Sequence, residues 1–296
     1  GATYITKRFD LTENRKNIAI GSHINSFVQF KWFWHFQLTK KFIQYFLTAS
    51  NGKGHGVHSP FVYNFIEKIL TDKKEYICYS TIEAQRKILL QDETVIEVED
   101  FGAGSTVIKT NKRVVKKIAA SSLKSKKFAQ LLYRIVQYYQ PKTIVELGTS
   151  LGITSSYLAA GSTITKLFTF EGSANIAAKA TQIFTNLEYT NLTLIEGDFA
   201  KTLPPLLSSL QEIDLAFIDG NHKKEPTLNY FHQLLQHSTN STILIFDDIH
   251  WSAEMEAAWE QIKKHAKVTL TIDLFFIGLV FINTDFKEKQ HFKIRF

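Results

Sequence analysis

Five short apolar runs in this chain each end in an acid, and the residues around those acids could do chemistry. Thr143–Val145 leads into Glu146-Leu147-Gly148-Thr149-Ser150-Leu151-Gly152, and Lys166–Phe170 into Glu171. Leu192–Ile195 leads into Glu196-Gly197-Asp198, Ile213–Ile218 into Asp219-Gly220-Asn221-His222, and Ser241–Phe246 into Asp247-Asp248-Ile249-His250. Gly148 and Gly152 lack a Cβ, so the backbone there can turn sharply and approach a ligand closely. The helix expected after them, Ile153 to Ala160, offers unpaired N–H groups at its start. Glu171 follows Glu146 by 25 residues, about one strand–helix–strand unit, and its carboxylate can accept hydrogen bonds from both hydroxyls of a ribose. Asp219, Asp247 and Asp248, at adjacent strand ends, suit a hard, oxygen-seeking cation such as Mg²⁺; a soft-metal site would want Cys and more His. Imidazole is the side chain suited to moving a proton near neutral pH, which makes His222 the candidate base.

Each residue also has a plainer reading. The glycines can be turn formers, Glu171 a charge at a helix N-terminus, and Asp219-Gly220-Asn221 a simple turn. Asp247 and Asp248 can cap the helix expected over Ala253 to His265, although a cap needs one aspartate. His222 can be a solvated loop histidine, and His250 is a rival base.

The elements that must position these groups alternate strand and helix, the pattern of an open α/β sheet whose ligands bind at the carboxyl ends of its strands. Val268 to Ile282 has room for two further short strands with a tight connection near Asp273. Lys112 to Gln140 reads as helices, with Phe128, Leu131, Leu132, Ile135 and Val136 on one face. Upstream, Glu97–Ser105 contains Asp100, Gly102 and Gly104 and imitates a ligand loop, but the basic, β-branched stretch after it is a poor helix opening. Ser59-Pro60 is a good helix start for Phe61 to Leu70. The glycine-broken Asn51–Pro60 reads as a lid element, and its His55 and His58 lack a third ligand nearby. Phe27 to Leu47 is dense in aromatics but interrupted by lysines, so it cannot span a membrane. It is expected to pack on its own domain or a second copy, as in a homodimer, in preference to a membrane surface. Residues 1–26 read as a loosely held arm.

Taken in order, these motifs resemble the class I S-adenosylmethionine-dependent methyltransferases, and most closely the metal-dependent O-methyltransferases of catechol, caffeoyl-CoA and macrolide-sugar type. The resemblance covers roughly Lys112 to Ile282. It implies a doubly wound, seven-stranded, mostly parallel Rossmann-like sheet with an antiparallel last strand, following an N-terminal helical extension (1–111) ahead of the catalytic domain (112–296). It also implies that Glu146, Gly148, Thr149, Ser150 and Gly152 form the cofactor loop, that Glu171 and Gly172 hold the ribose, and that Asp198 and Phe199 border the adenine. Asp219 would sit between cofactor and metal. Asp219, Asp247 and Asp248 fall on the family's divalent-metal ligands, and His222 stands where relatives place a catalytic lysine or histidine. Asp248 departs from the asparagine of the catechol type and matches the sugar-modifying branch. The acceptor implied is a small molecule with neighbouring oxygens, such as a catechol or sugar diol.

Composition narrows the alternatives. At 296 residues and 44% hydrophobic content the chain can bury a sizeable core. Its single cysteine, Cys78, excludes an intramolecular disulfide framework and favours a reducing, cytoplasmic setting. The net charge of +7 comes without an arginine-rich cluster, so no nucleic-acid partner is expected. Two other classes compete: an NAD(P)-dependent oxidoreductase, which also uses a glycine turn and a ribose-binding acid, and a non-catalytic membrane-associated or scaffolding protein. The loop Gly148–Gly152 lacks the G-x-G-x-x-G spacing of the first.

Overall fold

The computed structural model describes residues 38–50, 52, 54, 58–100 and 109–296. Contacts divide the chain into two units, 1–48 and 49–296. In the first, the described residues form a helix over 38–48 (α1) on which Phe42, Phe46 and Leu47 are exposed. Residues 27–37 of the expected aromatic segment and half of the 51–60 loop, His55 included, lie outside the described residues, as does the 101–108 glycine stretch. No described helix is long and apolar enough to cross a membrane.

The second unit is built on an eight-stranded sheet. Its strands are β3 (Thr143–Leu147), β4 (Lys166–Glu171), β5 (Leu192–Glu196), β6 (Ile213–Ile218), β7 (Ser238–Asp247), β8 (Leu270–Asp273), β9 (Ile277–Phe281) and β10 (Gln290–Lys293). The spatial order is β10-β8-β9-β7-β6-β3-β4-β5. β3 to β7 are mutually parallel; β9 runs antiparallel between β7 and β8. This is the expected sheet, with one strand more. β10 pairs in parallel with β8 at the edge, and its polar Gln290-His291-Phe292-Lys293 is only partly buried, so no apolar pattern announces it.

Because side chains alternate across a strand, the apolar runs feed two cores. Ile144, Leu215, Phe217, Ile243 and Ile245 face one side, against Leu131, Leu132, Ile135 and Val136 of α5 (Lys126–Tyr139). Val145, Ala216, Ile218, Leu244 and Phe246 face the other. There they meet Phe231 and Leu234 of α9 (Lys224–Gln236) and Trp259 of α10 (Ala253–Lys264). Helices α6 (Ile153–Ala160), α7 (Ala174–Asn186) and α8 (Phe199–Ser209) complete the crossovers.

Before the sheet come α2 (Pro60–Phe65), continued by a wider π-turn over Ile66–Leu70, and α3 (Ile77–Leu89). The Ser59 hydroxyl caps α2, accepting from the Val62 amide at 3.5 Å, as the Ser-Pro start implies. One local expectation is corrected. Lys112–Val114 is not helical but belongs to β2 (Lys109–Val114), which pairs antiparallel with β1 (Val95–Asp100). Alternation in Ile96-Glu97-Val98-Glu99 and the β-branched, basic run opposite favour a strand pair there. Helices begin only at α4 (Val115–Ser122). Residue 111 therefore lies within a strand.

Candidate active site

Chain order in the sheet reverses between β3 and β6: β4 and β5 continue to one side, β6 and β7 to the other. A crevice must open at such a point, beyond the carboxyl ends of the strands. A cavity of about 730 Å³ lies there, within the range of small-ligand sites. The β3–α6 loop forms its floor. Gly148 (φ +112) and Gly152 (φ +81) adopt the left-handed backbone that favours glycine, and a Cβ on Gly148 would meet the Asp219 carbonyl oxygen at 2.2 Å. Ser150 also has positive φ, which turns its amide toward Glu171.

One end of the cavity carries Glu171, Asp198 and Phe199. The Glu171 carboxylate accepts from the amides of Ser150 (2.9 Å) and Ser173 (3.0 Å), so both oxygens are oriented with lone pairs left for a ligand. Burial pushes its carboxyl above the usual range. Asp198 caps α8 through the Ala200 amide at 3.0 Å and lines the cavity with Gly172, Gly197 and Phe199. The Phe199 ring is held edge-on to Phe170, at 6.2 Å between centroids.

The other end is charged. Asp219, His222, Asp247 and Asp248 all line the cavity. His222 Nε2 lies 3.6 Å from Asp219 Oδ1. Asp247 is not a helix cap: Ser252 fills that role for α10, accepting from the Met255 amide at 3.1 Å. Ligand atoms of Asp219, His222 and Asp247 lie within 4.8 Å of one another. Asp248 stands outside that group, its backbone in the left-handed region and its amide donating to the Phe276 carbonyl at 2.6 Å.

Three expected cofactor residues sit elsewhere. Gly152 faces Phe184 and Ala180. Glu146 is fully buried beneath the loop, where its Oε2 accepts from the hydroxyls of Ser155 and Thr169, the latter at 2.6 Å. Burial raises its carboxyl to about 8, so it is held as a neutral acid that joins β3, β4 and α6. Thr149 is also buried, its hydroxyl 2.5 Å from that of Thr169. None of the three lines the cavity. His250 does not line the cavity, and its Nε2 lies 2.8 Å from Asp273 Oδ2.

The structure adds a residue that the motifs did not indicate. Lys124, in the break between α4 and α5, reaches into the acidic cluster. Its ammonium hydrogen-bonds Asp247 Oδ2 and lies 3.4 Å from Asp219 Oδ2. Burial alone would lower the ammonium, but the carboxylates of Asp219, Asp247 and Asp248 outweigh it and hold Lys124 above its ordinary value. Burial and the charge of Asp219 drive Asp247 well above the carboxylate range. Asp219 is held low by Lys124, a hydrogen bond from Asp247 and His222, against its own burial. Asp248 is raised, mainly by burial. In one chain a lysine between two helices carries no signal of this role, since nothing nearby in sequence marks its partner 123 residues away.

The donor chemistry of this cluster suits a hard divalent cation, but the arrangement does not: the ammonium already holds the Asp247 oxygen that such an ion needs, and Asp248 does not converge with the others.

Fold and site together resemble those of a methyltransferase domain. Residues 145–249 match the family model described as a methyltransferase domain. Solved structures share the fold at low identity. The S-adenosylhomocysteine-bound methyltransferase PaMTH1 of Podospora anserina is 16% identical, with 55% of this chain and 81% of that one covered, at a TM-score of 0.50. A Klebsiella pneumoniae protein assigned as an O-methyltransferase is 19% identical, covering 75% and 96%, at 0.50. Cofactor-bound Rv0187 from MTB is 14% identical, covering 75% and 96%, at 0.51. No curated protein matches the chain in sequence.

Proposed function

We propose that this chain transfers the methyl group of S-adenosylmethionine to a hydroxyl oxygen of a small molecule. One observation carries the reading. A single cavity has Glu171, Asp198 and Phe199 at one end and the Lys124–Asp219–His222–Asp247 cluster at the other, with Gly148 between them. Adenosine fits the first end: ribose hydroxyls on Glu171, the base between Asp198 and Phe199. The sulfonium methyl then points past Gly148 toward the charged end.

In the transfer, an acceptor oxygen attacks the methyl carbon in line with the carbon–sulfur bond. The new O–CH₃ bond forms as the C–S bond breaks, its electron pair stays on sulfur, and the sulfonium becomes a neutral thioether. The hydroxyl proton goes to a base, and His222, half-exposed and oriented by Asp219, is placed to take it. Holding the two reactants in line supplies much of the catalysis, about 7–11 kcal/mol in well-aligned systems. Leu123, Phe128, Trp251 and Phe276 give the charged end an apolar, largely aromatic wall, which favours a flat aromatic hydroxyl compound over a sugar diol. The O-methyltransferase assignment of the Klebsiella protein agrees with a hydroxyl acceptor.

The finer expectation of Mg²⁺ is supported by the hard oxygen donors and opposed by Lys124, so no step is routed through a metal.

Calorimetric titration with S-adenosylhomocysteine, followed by transfer of labelled methyl from S-adenosylmethionine to a panel of catechols, phenols and sugar diols, tests the function. Binding and transfer to a hydroxyl are expected. Binding of NAD without S-adenosylhomocysteine would overturn it.

A further inference from the structure

The acidic cluster at the ends of β6 and β7 already has its cation. The Lys124 side chain is 13% exposed, and its ammonium engages Asp247 (1% exposed) and Asp219 (17%) at once. A buried ammonium persists only where carboxylates compensate the water it has lost, and buried carboxylates need a counter-charge equally. Each therefore accounts for the other. Three further observations bear on a metal. Oδ2 of Asp247, a ligand atom in any such site, is already spoken for. The remaining oxygen, Oδ1, is buried and receives no N–H or O–H from another described residue. Asp248, the expected third carboxylate, does not converge, so the third possible ligand is the imidazole of His222. A metal held there would silence the base.

We propose that the Lys124 ammonium is the resident cation of this site, standing between Asp219 and Asp247 where a divalent ion would otherwise stand, and that the chain works without a metal ion. The inference rests on the methyltransferase reading for its chemistry, though not for its test. An ammonium has three donors. One is used on Asp247 and one points to Asp219, which leaves one for the acceptor oxygen. As His222 removes the hydroxyl proton, that third N–H steadies the negative charge growing on oxygen, the role a Lewis acid would have had. Seated among Asp219, Asp247 and Asp248, the ammonium repels any ion approaching the same oxygens.

Mn²⁺ is the probe. Its binding to the full chain is followed by electron paramagnetic resonance in the wild type, in Lys124→Met, which keeps an apolar stem and drops the charge, and in Lys124→Met/Asp247→Asn. Calorimetry with S-adenosylhomocysteine reports on the fold of each. The wild type is expected to take up no Mn²⁺ at concentrations that load Lys124→Met with about one ion per chain, and the double variant should lose that ion. Wild-type turnover should be unchanged by chelator. Stoichiometric Mn²⁺ binding by the wild type overturns the proposal, and so does a Lys124→Met protein that binds S-adenosylhomocysteine yet takes up no Mn²⁺. Should Lys124→Met fail to fold, the wild-type arm decides alone: Mn²⁺ uptake overturns the proposal, while its absence with chelator-insensitive turnover upholds it. Failure of the wild type to bind S-adenosylhomocysteine would sink the methyltransferase reading and leave the Mn²⁺ result standing.

Discussion

The carbonyl oxygen of Asp219 occupies the place a side chain on Gly148 would need, 2.2 Å from where its Cβ would lie. The contact joins the ends of β3 and β6, the two strands between which the sheet reverses, and the Asp219 amide donates back to the Leu147 carbonyl at 2.8 Å. The Gly148 loop and the first residue of the charged cluster are thus one rigid piece, and on the proposed reading a sulfonium lying on Gly148 sits next to the groups proposed to act on the acceptor.

Gly148→Ala forces this piece apart and puts a side chain on a backbone with φ of +112°. The strain should cost about 1–3 kcal/mol of stability, and affinity for S-adenosylhomocysteine should fall at least about tenfold. Thermal melts and calorimetry check both. An unchanged affinity would mean that the cofactor does not lie on this loop.

Glu171→Ala removes the acceptor held by the Ser150 and Ser173 amides. The two ribose hydroxyls lose a charged partner, worth about 1.5–3 kcal/mol, or roughly 10- to 100-fold in affinity. Affinity for the free acceptor should not change, and a loss confined to it would move the ribose elsewhere.

Glu146 links stability to pH. Its carboxyl is raised by burial from the ordinary 4.5 to about 8, so the folded chain keeps a proton that the unfolded chain releases. The stabilisation is complete below about 4.5, declines as pH climbs toward about 8, and is flat beyond, with a slope of up to roughly 1.4 kcal/mol per pH unit. Glu146→Gln keeps an acceptor for Ser155 and Thr169 and cannot ionise. Relative to the wild type it should therefore gain stability from pH 5 to pH 8 in denaturant titrations. Parallel curves would show that Glu146 ionises freely in the fold.

His222→Gln should lower turnover by about 10²–10⁴-fold where the acceptor hydroxyl is neutral. The gap should narrow at alkaline pH, where the hydroxyl loses its proton unaided, and affinity for S-adenosylhomocysteine should hold. A ratio of rates that is constant across pH would remove His222 as the base.

Sequence alone was enough to read the five strand-and-acid units, the glycine loop and the antiparallel ending, because each is a local pattern. An apolar run must be buried on both faces of a parallel sheet, and Gly148 and Gly152 mark backbone that must turn with positive φ. Other features have no local cause. Lys112–Val114 became a strand only because β1 lies opposite, and β10 is a strand only because β8 leaves an edge open. Glu146 read as a loop acid, yet the packing of α6 on β4 closes over it and keeps it neutral. The identity of the cation beside Asp219 and Asp247 was equally invisible in the sequence. It depends on where the break between α4 and α5 comes to rest above the sheet reversal, and long-range packing, not neighbouring residues, brings Lys124 to carboxylates as far as 123 positions away.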